Sequence, residues 1–261
     1  MPKFQDPSEF AAAIAPVIGA AHVTVHASAA RAVAALAETS GVTPGLLSDL
    51  RFTLPLRPLT RDHLAVIDRY GDAAARERDL QEHLLQRTLA EDGDGTLRPT
   101  DKGLEFVHRL YEVHAATAAR VWAAHDLPGL AALVARVLDA AERVPGGALE
   151  LVAPLLDAAE RVPGGALELV APPYEPEGAE RRGQAGLLLF NRLAVLRYHR
   201  ADAHAAAWQA AGLTAAGIVG LPDGPLRAAI EAETNLRAAA PYRTLTVRER
   251  ETLYDGLLKL V

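Results

Sequence analysis

Residues 196–208 hold an unusual density of side chains that could bind or transform a ligand. The run Leu-Arg-Tyr-His-Arg-Ala-Asp-Ala-His-Ala-Ala-Ala-Trp contains two arginines, two histidines and an aspartate, within a stretch otherwise rich in alanine and leucine. Arginine binds carboxylates and phosphates through a planar fork of N–H donors, and histidine binds metals or moves protons near neutral pH. The run therefore indicates a site for a small anionic ligand, with the candidate residues Arg197, His199, Arg200, Asp202, His204 and Trp208.

A single long helix is the element that must position this cluster. No glycine or proline interrupts the chain between Gly186 and Gly212, and the residues between them are good helix formers. Positions i, i+3 and i+7 lie on one face of a helix, and position i+11 extends the same stripe. That stripe is predicted to consist of Arg197, Arg200, His204 and Trp208.

The remaining candidates lie on a neighbouring face. The Asp202 carboxylate follows Tyr198 by four residues and His199 by three, so either side chain is within its reach on a helix. His199 and His204 are five residues apart, which places them about 140° apart around a helix. These two histidines therefore cannot bind one metal from a regular helix, and a metal would need further ligands.

Two interpretations of the cluster stay open at this point. In the first, the polar side chains point into a pocket, where the arginines hold an anion and His204 binds a metal or transfers protons. In the second, they form a network between helices, because buried polar groups must be paired. In both, we expect the cluster to face the interior between the C-terminal helices, where Glu231 meets Arg197 or Arg200.

Four motifs in the C-terminal third resemble a known family. They are Leu-Arg-x-His-Arg-x-Asp-x-His at 196–204, Gly-Leu-Thr-Ala-Ala at 212–216, Ile-Glu-Ala-Glu-Thr-Asn at 230–235 and Ala-Pro-Tyr at 240–242. With them, residues 185–261 resemble the bacterial helix-turn-helix proteins of the SalK type. The resemblance implies tandem winged-helix-like folds and a regulator-like role.

The first half of the chain contains a pattern typical of a winged helix. Thr60 is predicted to cap a helix that reaches Tyr70, and a second helix follows from residue 73 to about residue 89. The acidic stretch 91–98 then predicts a tight hairpin, and Leu-x-Pro-Thr-x-x-Gly at 97–103 opens the next helix. This order resembles the winged helix-turn-helix of MarR-type proteins.

Charge argues against strong DNA binding by this segment. Residues 60–125 hold 9 Lys and Arg against 12 Asp and Glu, and three carboxylates lie on the hairpin. DNA affinity depends on cationic contacts to phosphates. Residues 1–180 carry 16 basic against 26 acidic residues, whereas residues 181–261 carry 11 against 7. We therefore expect DNA binding to be weak and any anion to meet the C-terminal part.

Length, composition and an internal repeat predict the domain organisation. Of the 261 residues, 50% are apolar, 5% are aromatic and none is cysteine, which favours a mainly α protein without disulfides or thiolate metal sites.

Residues 138–154 recur identically at 156–172, a tandem duplication with a period of 18 within residues 137–172. One copy is expected to pack while the other lengthens a connection. We expect two winged-helix-related domains with a minor β-hairpin wing, at residues 1–172 and 173–261.

The N-terminal region predicts two helices, at about residues 8–20 and 22–38. His22 and His26 are four residues apart, a spacing that can bind a metal but that more often reflects packing. The chain starts without a basic region followed by an apolar run, and no 18 residues are uninterruptedly apolar. These features predict a cytoplasmic protein, and we expect it to form a homodimer without a membrane partner.

The leading hypothesis from the sequence is a winged-helix-type, regulator-like protein that recognises a small anionic ligand through its Arg/His cluster. The alternative is an enzyme, or a metal- or cofactor-binding protein, that has reused the fold with His204, His199 and Asp202 in its site. The sequence holds no phosphate-binding loop, nucleophile motif or HExxH. The sequence therefore identifies neither a catalytic residue nor a bound metal or cofactor.

Overall fold

The structure is a computed structural model that describes residues 3–51, 53–54, 58–141, 147–151 and 179–261, with the backbone alone for residues 179–184. The second copy of the duplication and the predicted domain boundary at 172–173 lie outside these residues. The described part is mainly α-helical with one small antiparallel sheet, as predicted. Its elements are α1 (Pro7–Ser40), α2 (Gly45–Asp49), α3 (Arg61–Ile67), α4 (Ala73–Leu85), β1 (Leu89–Glu91), β2 (Leu97–Pro99), α5 (Asp101–Val121), α6 (Leu127–Ala140), α7 (Ala179–Ala210), α8 (Ala215–Val219), α9 (Pro225–Ala238), a 3-10 helix (Ala240–Thr244) and α10 (Val247–Leu258).

The chain forms two compact units, and each combines separate stretches of sequence. The first unit contains Met1–Thr24, Trp122–Glu150 and Leu188–Val261. The second contains Val25–Val121 and the described part of Leu151–Leu187. The Arg/His cluster of α7 lies in the first unit, and the segment that resembles a winged helix lies in the second.

Helix α1 is continuous, although the sequence predicted two helices here. Pro16 lies inside it and removes one backbone hydrogen bond. A stripe of fully or almost fully buried apolar residues runs through the predicted break and holds the helix together on both sides of it. The stripe consists of Phe10, Ile14, Ile18, Ala21 and Val25.

By length and composition alone, α1 is also apolar enough to cross a membrane. Of its most apolar 18-residue window, 44% is buried inside the protein. Buried core helices of water-soluble proteins pass the same test of length and hydropathy. A signal sequence near an N-terminus passes it too, so this helix by itself is weak evidence for a membrane location.

The second unit contains the helices and hairpin predicted around residues 60–121. Thr60 caps α3 by accepting the backbone N–H of His63, whose ring accepts the N–H of Thr60 in return. Strands β1 and β2 pair antiparallel, and Leu59 adds a single bridge to Leu97 on the open edge of β2. The described elements of this segment thus follow in the order bridge, α3, α4, hairpin and α5.

The Leu-x-Pro-Thr-x-x-Gly motif joins the hairpin to α5. The Thr100 hydroxyl accepts the backbone N–H of Gly103 at 3.2 Å and donates to the carbonyl of Arg87 at 2.6 Å. Gly103 is buried directly against the carbonyl oxygen of Thr88, in space that a Cβ atom would fill. The motif therefore lets the first turn of α5 approach the backbone that precedes β1.

The first unit is closed by contacts between distant parts of the chain. Arg250 on α10 is 7% exposed, and its guanidinium donates to the backbone carbonyls of Tyr242, Phe4 and Gln5. A capping box begins α10, because Thr246 and Glu249 exchange hydrogen bonds. Glu249 also accepts from Arg136 on α6, which with the Thr246 N–H lowers the pKa of this carboxyl to about 2.

His114 on α5 makes the stability of the second unit depend on pH. Its ring is 1% exposed and lies edge-on to His26, with 5.0 Å between the ring centroids. Burial lowers the pKa of His114 to about 2, and the nearby charges of Arg51 and His26 act in the same direction. His114 is therefore neutral in the folded protein, whereas in the unfolded chain it titrates near its ordinary pKa of about 6.5.

We expect the free energy of unfolding to fall by about 1 kcal/mol between pH 7 and pH 5.5 because of His114. Below pH 6.5 the unfolded chain binds a proton that the folded protein does not, so stability present above this pH is lost as the pH falls towards 2. Urea denaturation of the wild type and His114→Leu at both pH values measures the effect. The variant should lose about 1 kcal/mol of this pH dependence, and an unchanged dependence would contradict the assignment.

Candidate functional site at the Arg/His cluster of α7

Helix α7 reaches the cluster through a buried apolar segment. The side chains of Phe190, Leu193, Val195 and Leu196 are at most 2% exposed. After the cluster, Trp208 is again buried and packs in an apolar group with Ala205, Ala207, Ile218 and Ile230. Trp208 thus fixes α7 against α8 and α9, and the polar residues between these two apolar segments lie at a defined depth in the unit.

Arg200 binds two side chains of α9. Its Nη2 lies 3.2 Å from Glu231 Oε2, and its Nη1 donates to Asn235 Oδ1 at 2.9 Å. The predicted meeting of Glu231 with Arg200 is therefore present. Glu231 and Asn235 are one helical turn apart, so that α9 presents both to the same guanidinium.

His204, one turn after Arg200, faces the same glutamate. Its Nε2 lies 3.5 Å from Glu231 Oε1, which is longer than an ordinary hydrogen bond. The two oxygens of Glu231 are thus divided between a guanidinium and an imidazole. This group of Arg200, His204, Glu231 and Asn235 is called the α7–α9 cluster below.

Arg197 is the most exposed of the predicted residues on this helix. Its long side chain carries the guanidinium to the surface, contrary to the expectation that the whole cluster faces the interior. Nη1 lies 3.0 Å from Nδ1 of His22 on α1, and the His22 ring stacks on Phe190 with 4.7 Å between centroids. His22 must be neutral at Nδ1 to accept this bond, and within the described part of the chain Arg197 has no carboxylate partner.

His199 and Asp202 lie on the other side of α7, as their spacing predicted. His199 Nε2 is 3.3 Å from the carbonyl oxygen of Ala238. Asp202 is 6% exposed and accepts the backbone N–H groups of Ala148 at 3.0 Å and Leu149 at 2.8 Å. Residues 148–151 are helical, so Asp202 caps their free N–H groups within the first copy of the duplication.

The six predicted site residues therefore divide into three groups. Trp208 is part of the apolar core, His199 and Asp202 bind backbone groups, and only Arg197, Arg200 and His204 share the partly exposed face. No group of three or more metal-ligating side chains occurs among the residues that the structure describes.

Tyr242 of the Ala-Pro-Tyr motif lies close to this face and is buried. Burial raises the pKa of its phenol, and the charge of Arg200 opposes that shift in part. The phenol is therefore protonated at neutral pH. Its ring packs edge-on against Phe10, with 5.1 Å between centroids, which indicates a packing role.

The sequence did not identify His22 as a partner of Arg197, nor Ala148 and Leu149 as partners of Asp202. These contacts join residues 175, 54 and 53 positions apart. The spacing of His22 and His26 indicates either packing or a metal site, and neither interpretation includes Arg197. Asn235 was visible as part of the motif at 230–235, although not as a ligand of Arg200.

Comparison with protein-family models, curated proteins and solved structures gave no match.

Proposed function

We propose that this chain is a regulator-like protein on a winged-helix-type scaffold and that it recognises a small anionic ligand through Arg197, Arg200 and His204. We also propose that it acts in the cytoplasm as a homodimer. The family resemblances and the composition support these statements, and 44% of the most apolar window of α1 is buried inside the protein.

The observation that carries the proposal is the excess of positive charge on one partly exposed helix face. Two guanidinium groups and an imidazole lie within three turns of α7, and the carboxylate of Glu231 contacts Arg200 and His204. Arg197 donates to a neutral ring nitrogen and keeps its full charge. An exposed, positioned guanidinium is a favourable partner for a carboxylate or phosphate.

Binding of an anion should depend on Arg197 more than on any other exposed arginine. The experiment is an isothermal titration of the protein with sodium benzoate and with inorganic phosphate at low ionic strength. A charge-assisted hydrogen bond contributes about 1.5–3 kcal/mol, so Arg197→Gln should weaken binding by about tenfold or more. Arg237→Gln removes an exposed arginine that pairs with Glu233 on α9, and it should leave binding unchanged.

Failure of the wild type to bind either anion would contradict the proposed function. Equal weakening in Arg197→Gln and Arg237→Gln would also contradict it, because the effect would then follow the net charge and not the site.

A regulator on this scaffold is expected to bind DNA weakly by its winged-helix-type segment. Residues 60–125 hold more acidic than basic side chains, and three arginines at the helices and hairpin are paired with acids, which reduces the cationic surface for phosphates. The pairs are Arg61 with Glu77 and Glu91, Arg76 with Asp68, and Arg98 with Asp92.

For duplex DNA we therefore expect a dissociation constant weaker than about 10⁻⁶ M at 150 mM salt, in the range of non-specific binding. Fluorescence anisotropy with random duplexes and with duplexes from the neighbourhood of the gene measures it. Sequence-specific binding near 10⁻⁸ M, typical of dedicated regulators, would show that the paired arginines do not limit DNA binding.

The contact between His204 and Glu231 favours a second candidate function, catalysis by the same cluster. A carboxylate next to an imidazole orients the ring and raises its basicity, as required of a general base. His199 and Asp202, which the sequence grouped with His204, do not share that face. An absorbance spectrum and metal analysis of the purified protein separate this candidate from a plain binding protein, because a bound metal or chromophore would favour the enzyme.

A further inference from the structure

The acidic member of the α7–α9 cluster is more exposed than its two basic members. The Glu231 side chain is 43% exposed, whereas Arg200 is 28% and His204 is 20% exposed. Of these three side chains, that of Glu231 is therefore the most open to water. A carboxylate that approaches from solution would therefore meet Glu231 before it reaches Arg200 and His204.

The contacts of Glu231 are single and long for a charge pair. Each carboxylate oxygen contacts one partner: Oε2 lies 3.2 Å from Arg200 Nη2, and Oε1 lies 3.5 Å from His204 Nε2. The Nη1 group of Arg200 donates to Asn235 instead. Charge-assisted hydrogen bonds are ordinarily 2.7–2.9 Å long, and arginine often binds a carboxylate with two parallel bonds. Glu231 therefore lies where an anion could bind Arg200 and His204, but its own contacts are longer than the hydrogen bonds that a carboxylate can form there.

We propose that the ligand of this cluster is a small carboxylate and that Glu231 occupies the position of its carboxyl group in the free protein. This inference rests on the proposed function and specifies it further. When the ligand binds, the Glu231 side chain rotates into solvent, and the ligand's carboxylate binds Arg200 and His204 in its place, with Arg197, one turn earlier on α7, as a third contact. Because Glu231 is tethered on α9, it competes at a constant local concentration and lowers the apparent affinity of the free protein.

A variant that lacks the Glu231 carboxylate should bind the ligand more tightly than the wild type. Removing an acidic residue that merely supports the site would disorder Arg200 and weaken binding. Removing a residue that occupies the ligand's position should strengthen it. The substitution Glu231→Gln keeps the size of the side chain and a hydrogen-bonding oxygen but deletes the competing charge.

The experiment is an isothermal titration of four full-length proteins with sodium benzoate: wild type, Glu231→Gln, Glu231→Asp and Glu233→Gln. Glu233 is on the same helix and is similarly exposed, at 42%, but pairs with Arg237, so its substitution removes an equal charge elsewhere. We expect Glu231→Gln to bind benzoate at least tenfold more tightly than the wild type and Glu233→Gln to match the wild type. Glu231→Asp withdraws the carboxylate by one methylene and should also bind more tightly.

Equal or weaker binding by the folded Glu231→Gln protein would overturn the inference, and so would an equal gain in Glu233→Gln. If Glu231→Gln does not fold, a failure of Glu231→Asp to gain affinity overturns it as well. In these cases binding of benzoate by the wild type would leave the proposed function standing. Absence of binding in all four proteins would instead remove the proposed function itself.

Discussion

Replacement of Asp202 by alanine should destabilise the first unit by about 3 kcal/mol or more. The buried carboxylate accepts two backbone N–H groups, from Ala148 and Leu149, and each hydrogen bond to a charged group contributes about 1.5–3 kcal/mol. Both donors belong to residues that are at most 1% exposed, so that water cannot replace the lost acceptor. Urea denaturation followed by circular dichroism measures the loss.

The matched control for this substitution is Asp255→Ala on the exposed side of α10, which should change stability by less than about 0.5 kcal/mol. Asp202→Asn should fall between the two, because the amide keeps one acceptor oxygen but turns its NH₂ group towards a donor. A loss in Asp202→Ala no larger than that of the control would mean that the carboxylate is available for a ligand.

Substitution of Gly103 by alanine should destabilise the second unit by about 3 kcal/mol. The added methyl group overlaps the carbonyl oxygen of Thr88. The three atoms nearest to it are all backbone atoms of Thr88, which cannot move away as a flexible side chain could. Overpacking of this kind costs about 1–3 kcal/mol and sometimes more, and it outweighs the gain of about 1 kcal/mol in helix propensity from glycine to alanine. A thermal melt followed at 222 nm measures the result.

Gly93→Ala at the tip of the hairpin provides the comparison for Gly103→Ala. A Cβ atom at Gly93 meets no other atom within 4 Å, so its melting temperature should stay near that of the wild type. A stabilised Gly103→Ala protein would mean that α5 does not approach Thr88 as closely as described.

Much of the secondary structure could be predicted because it is decided locally. The caps at Thr60 and Thr246, the acidic hairpin and the long helix of residues 196–208 follow from side chains within a few positions of each other. Helix α1 could not be predicted as one helix, because Pro16 and Gly19 are local signals for a break. The burial of its apolar stripe, which decides the outcome, depends on residues far away in the sequence.

The candidate site was predicted as a helix face, but its division into groups was not. Helical spacing correctly separated His199 and Asp202 from the stripe of Arg197, Arg200 and His204. Spacing within α7 holds no information about which other segment each side chain meets. The first copy of the duplication, which supplies the N–H groups for Asp202, and α1, which supplies His22, become relevant only when the chain has folded.

The bonds from Arg250 to Phe4 and Gln5 have a consequence for the order of events during synthesis. They join residues 246 and 245 positions apart, so a ribosome adding about 5–20 residues per second completes the second unit's Val25–Val121 stretch well before Arg250 emerges. At the start of α1, the ring of Phe10 must wait for Tyr242 of the 3-10 helix, its partner in the folded protein. At these rates the nascent chain exposes its first hydrophobic segment for roughly ten seconds or longer. Chaperones bind such segments during that time.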